Sequence, residues 1–133
     1  MEDDKFQVWE KKLMNQTGKD YFTEHRVKKY KLDHIQKDNI DLSQQGFTRR
    51  HHSRSIYIYY VFEEKIVVIE GELSGIPDYN FLIYAEYRHL EYAYVPETNT
   101  FKELSFAEKQ HIQLSLIQWL SQEGIRHDII AGV

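Results

Sequence analysis

From residue 55 onward, apolar and polar positions alternate with a period of two. In "SIYIYYVF", Ile56, Ile58, Tyr60 and Phe62 share one face while Tyr57, Tyr59 and Val61 share the other. "KIVVIEGEL", "FLIYAEY" and "LEYAYV" continue in the same β-branched and aromatic style. Gaps as short as "EE" and "RH" leave no room for a crossover helix, so neighbouring strands must pair antiparallel. The pattern predicts a meander with strands over Ile56–Phe62, Ile66–Leu73, Phe81–Tyr87 and Glu91–Val95.

After the turn-forming "PETNT" the period becomes helical. Ser105 and Glu108 have the S-x-x-E spacing of a capping box, and Gly124 supplies a stop. Between them Ile112, Leu116, Trp119 and Leu120 form an apolar stripe, widened by Leu114 and Ile117. A helix from Ser105 to Glu123 lying across one face of the meander would make a two-layer domain. At the other end, Phe6, Trp9 and Leu13 at helical spacing, with Gly18 beyond them, predict a short amphipathic helix. Tyr30, Leu32 and His34 alternate with charged residues and read as a strand within 21–35, and "QKDNIDLSQQG" reads as a loop. The expectation is one α+β domain over residues 1–133: an antiparallel meander of four to five strands with a C-terminal helix and a short N-terminal helix packed against it.

Composition narrows the chemistry. The chain of 133 residues has no cysteine, which removes disulfides, thiolate metal sites and cysteine nucleophiles. The start "MEDDKFQVWEKK" is too charged for a secretory signal, and no apolar run approaches the roughly 18 residues of a membrane span. A cytoplasmic location without membrane attachment is expected. The net charge of −4 is unevenly spread: residues 1–54 hold 12 Lys+Arg against 9 Asp+Glu, whereas residues 55–104 hold 3 against 9. A basic first part followed by an acidic sheet suggests a bipolar surface that could steer a charged partner.

Two stretches invite a chemical reading. In "FTRRHHSR", Arg49, Arg50 and Arg54 could contact phosphates or a carboxylate-rich surface, and His51 and His52 could add charge below about pH 6.5. Tyr57 and Tyr59 close by could stack on bases. The acidic balance and the absence of glycine-rich nucleic-acid signatures argue against that use, and the segment reads as a solvated rim or hairpin tip. In "IPDYNFLIYAEYRH", Pro77 and Asp78 followed by Glu86 and Arg88 on a strand loosely resemble the PD-(D/E)XK nuclease pattern, in which carboxylates hold a divalent metal. Here the gap is short, arginine stands where lysine is usual, and the surrounding helices are missing. A turn at Pro77 and Asp78 feeding an ordinary strand is the better reading. The adjacent His51 and His52 point opposite ways on an extended chain, and the other histidines lack metal-ligand spacing. No metal, cofactor or catalytic group is therefore implied.

What remains is an acidic, tyrosine-rich sheet. Glu70 and Glu72 share a strand face, Glu86 and Glu91 follow on the next hairpin, and Tyr57, Tyr59, Tyr84, Tyr92 and Tyr94 would be displayed among them wherever the second sheet face is open. Tyrosine gives large contact area at low entropic cost, which suits protein recognition. Small acidic cysteine-free α+β proteins of this kind include many immunity proteins and enzyme inhibitors. The sequence thus points to a small soluble non-enzymatic protein-interaction domain with a protein partner. The alternative is a nucleic-acid-binding or nuclease-like protein using Arg49 to Arg54.

Overall fold

A computed structural model describes the backbone of residues 19–133 and the side chains of residues 24–133. The helix expected around Phe6, Trp9 and Leu13 lies outside the described residues. The chain divides between Lys37 and Asp38 into two compact units. The fold is α+β: an antiparallel sheet of six strands with a helix on its N-terminal side and another at its C-terminal end.

The first described element corrects the strand reading of residues 21–35, because helix α1 runs over Lys19–Asp38. No Gly or Pro interrupts these residues, and pairs at helical spacing support them: Glu24 with Lys28 at 3.0 Å, Lys29 with Asp33 at 2.7 Å, and the rings of Tyr30 and His34 at 4.5 Å. The alternation of Tyr30, Leu32 and His34 is too short to outweigh them. Asn39 follows at φ 51°, the left-handed position that commonly ends a helix.

The sheet comprises β1 (Gly46–His52), β2 (Ser55–Phe62), β3 (Lys65–Leu73), β4 (Phe81–Tyr84), β5 (Tyr92–Val95) and β6 (Thr100–Glu103). Its order is β1-β2-β3-β5-β6, with β4 also on β3. The basic segment read as a rim or hairpin tip is mostly strand, its register running from Gly46 opposite Val61 to His52 opposite Ser55. The "EE" gap is a two-residue turn with Glu63 and Glu64 both at positive φ, 47° and 60°, the geometry whose twist matches a hairpin.

The simple meander needs a second correction. β4 and β5 do not pair with each other; both lie on β3, Glu70 facing Tyr84 and Ile66 facing Tyr94, so the register slips by six residues between them. They act as one strand interrupted by a looped-out segment, and Glu86, Arg88 and Glu91 sit outside any strand. Gln113 explains the interruption. Wholly buried, it donates through Nε2 to the carbonyls of Ala85 at 2.9 Å and Val133 at 3.1 Å, while its Oε1 accepts from the Gly132 amide at 2.8 Å. The first of these bonds supplies a partner for the Ala85 carbonyl just past the end of β4, and the other two tie down the segment after α2.

Helix α2 (Phe106–Gln122) carries the expected capping box: Ser105 Oγ accepts from the Glu108 amide, and the Glu108 side chain accepts from the Ser105 amide. Its stripe of Ile112, Leu116 and Leu120 closes on Ile56, Ile58, Val67, Ile69, Ile83 and Ala93. Trp119 packs at the edge of this core, stacked on Phe47 at 5.3 Å. Leu114, expected to widen the stripe, points outward and is 57% exposed. Beyond Gly124 the chain returns along β4, where His127 bridges Phe81 in parallel and Asp128 accepts the Ile83 amide at 2.9 Å. Among the described residues no helix is long and apolar enough to cross a membrane.

Candidate interaction surfaces

The second face of the sheet carries the tyrosines, and its cover is uneven. Tyr57, Tyr59 and Tyr94 are 7%, 0% and 8% exposed, so these members of the expected partner surface lie inside. Period-two alternation assigns a residue to a face but does not say whether that face is open. Tyr92 and Glu70 are half-buried, whereas Glu72 and Tyr84 are exposed. Tyr84 donates its hydroxyl to Glu72 Oε1 at 2.6 Å, and its ring meets His89 edge-on. That hydrogen bond, followed by slight burial and the negative charge of Glu72, raises the Tyr84 hydroxyl above its usual pKa.

The same hairpin carries exposed apolar side chains. Leu73 is 52% exposed, Ile76 50%, and Tyr79 37%. The turn is the one expected at Pro77 and Asp78, closed by the Tyr79 amide on the Ile76 carbonyl at 3.2 Å. Glu86 pairs with Arg88 at 3.1 Å, both open to water. Next to Glu86, a cleft of about 50 Å³ lined by Ile83, Asp128, Ile129, Ile130 and Val133 has room for a few waters and no more. Among the described residues, no three His, Asp or Glu side chains converge where they could hold a metal ion.

The basic segment is split by its own strand. Phe47 stacks on Tyr60 and His51 approaches Phe81, which puts Arg49 between them on the face of α2. Arg50 and His52 point the other way, and Arg54 sits at the hairpin tip. Three arginines that look contiguous in sequence therefore do not form one patch.

Sequence reasoning missed Asp38. Its carboxylate accepts from the Tyr59 hydroxyl through Oδ2 and bonds His52 Nε2 at 2.8 Å through Oδ1. Burial, and then the neighbouring Asp38, hold the Tyr59 hydroxyl far above its usual pKa. A carboxylate between a histidine and a tyrosine has acid–base potential, but Tyr59 is fully enclosed and the Asp38 side chain is 5% exposed, so no substrate reaches either group. The cluster fastens the residue that ends α1 to the β1–β2 hairpin. Asp38 lies 14 residues from His52 and 21 from Tyr59, and no local motif announces it.

Comparison with known proteins finds no matching family model, no similar curated protein and no similar solved structure.

Proposed function

We propose that the protein is a small non-enzymatic protein-interaction domain, of the inhibitor or immunity-protein kind, that binds a basic partner surface through its β3–β4 hairpin. The observation that carries this reading is the exposed Glu72–Tyr84 pair, set on the same hairpin as exposed Leu73, Ile76 and Tyr79. Apolar anchors beside carboxylates suit a partner whose lysines or arginines surround an apolar patch. Tyr84 is an apt anchor because its hydroxyl already has an acceptor and its ring is free to be covered.

Nucleic-acid binding through Arg49 to Arg54 has weaker support, since β1 sends Arg49 and Arg50 to opposite faces and phosphate tracking needs a continuous basic stripe. The test is affinity capture from the native cell with the wild type and with the Glu72→Lys, Tyr84→Ala double variant. A stoichiometric basic protein held by the wild type and lost by the variant supports the proposal. Nucleic acid as the co-purifying species, or a partner held equally by the variant, overturns it.

A further inference from the structure

Among the described residues β1 pairs only with β2, so no described strand occupies the other side of this seven-residue strand, an edge about 23 Å long. The two-residue turn at Ser53 and Arg54 makes His52 and Ser55 a bonded pair, and alternate pairs follow at Arg50–Tyr57 and Thr48–Tyr59. Phe47, Arg49 and His51 consequently aim N–H and C=O outward. Two contacts agree with this phase. The Leu73 amide bonds the Arg54 carbonyl at 2.8 Å, as required when the even-numbered residues of this hairpin bond β3. The Arg49 carbonyl accepts Nη1 of Arg50 at 3.0 Å, so a guanidinium stands where a neighbouring strand's N–H would be.

We propose that this edge takes an extended acidic segment of a partner protein as an additional β-strand. Main-chain bonds to Phe47, Arg49 and His51 would supply affinity, and Arg49, with His51 beside it on the same face, would select for carboxylates on it. The sequence of β1 decides against a second copy of the same strand. Full antiparallel self-pairing of Gly46–His52 would centre on Arg49 and set the Arg49 of one chain against that of the other, and like charges across a ladder repel. An acidic strand with carboxylates at every second position would instead place them beside Arg49 and His51 on one face. This edge lies on the far side of β2 from the β3–β4 hairpin, adjoins it where the Arg54 carbonyl accepts the Leu73 amide, and carries the opposite charge.

The probe is an acetylated seven-residue peptide of alternating Glu and Val, compared with the same peptide N-methylated at alternate residues to remove its donors. Fluorescence anisotropy should show saturable binding of the first and a loss of about tenfold or more for the second. Arg49→Glu should weaken binding by a similar factor and Arg49→Gln by less. Amide NMR should show shifts and slowed exchange at Phe47, Arg49 and His51 but not at Thr48 or Arg50. Circular dichroism of both Arg49 variants checks that the fold is retained. Equal binding of the methylated peptide overturns the proposal, because charge alone then accounts for it. Absence of saturation up to about 1 mM, or self-association of the free protein that Arg49→Glu abolishes, overturns it as well.

Discussion

Gln113→Glu changes one amide into a carboxyl of the same size and tests whether the looped-out segment is held as described. Protonated, the new side chain keeps one donor for the buried Ala85 carbonyl and one acceptor for the Gly132 amide, and loses only the bond to Val133. That loss is worth about 0.5–1.5 kcal/mol, since Val133 is exposed and water can replace the donor. Ionised, it would set a buried negative charge against two carbonyl oxygens. Desolvation and the absence of a donor raise its folded pKa by about 2–3 units, which costs roughly 3–4 kcal/mol once the pH exceeds the folded value. The folded form thus binds the proton more tightly than the unfolded chain. The penalty is absent below the unfolded pKa of about 4.3 and grows as pH rises to the folded pKa. Urea unfolding of wild type and variant, at about pH 4 and about pH 7.5, should give a small difference in the first and a large one in the second. A stability difference that does not change with pH would show that position 113 is hydrated and would refute the proposed anchoring of Ala85.

Two further substitutions probe the sheet and the helix cap. Gly71→Ala would bring a Cβ within 2.8 Å of Ile56 Cγ2 and Ile83 Cδ1 and 2.9 Å of the Leu82 carbonyl. The oxygen belongs to the backbone and cannot turn aside, so thermal unfolding should show a loss of about 1–3 kcal/mol, and an unchanged midpoint would contradict the close approach of β3 and β4. Glu108 is held below its ordinary pKa of 4.5 chiefly by the Ser105 amide, with Lys65 assisting at 3.3 Å. Its contribution to stability is therefore full above about pH 4.5 and disappears as pH falls through the lower folded value, so Glu108→Gln should flatten the acid limb of a stability–pH curve.

β2 and β3 were legible because every residue from 56 to 59 and from 66 to 69 is apolar or tyrosine, and two charged residues between them force a hairpin. The capping box was legible for a similar reason: it is complete within four residues. Reading failed where a distant group decided. "FLIYAEYRHLEYAYV" contains no Gly or Pro and reads as two strands, Phe81–Tyr87 and Glu91–Val95, joined by a short gap, yet the first ends at Tyr84 and Gln113, 28 residues beyond Ala85, bonds the Ala85 carbonyl. Alternation placed Tyr57, Tyr59 and Tyr94 on the face with Glu70 and Glu72, but could not separate the enclosed part of that face from the open end at Tyr84. In α1 the error was of period: three alternating positions suggested a strand where the buried Lys31 and Ile35, four apart, mark a helix.

The same interruption converts an uneven charge distribution along the chain into two surfaces of opposite sign. By looping out after Tyr84, the chain exposes Glu86, and the segment after α2 brings Asp128 against β4, so acids collect where Glu72 and Tyr84 already lie open. Arg49 and Arg50 belong to β1, which is separated from β4 by β2 and β3, while Arg54 lies at the hairpin tip with its carbonyl on the Leu73 amide. Three strand spacings amount to about 14 Å. At physiological ionic strength charges are screened over about 8 Å, so Arg49 and Arg50 are largely screened from the acids at β4. A chain of modest net charge can therefore present a carboxylate-rich hairpin to a basic partner and a cationic edge to an acidic strand. The two proposed contacts adjoin where the Leu73 amide bonds the Arg54 carbonyl and where His51 meets Phe81, so double variants across these pairs should couple rather than add.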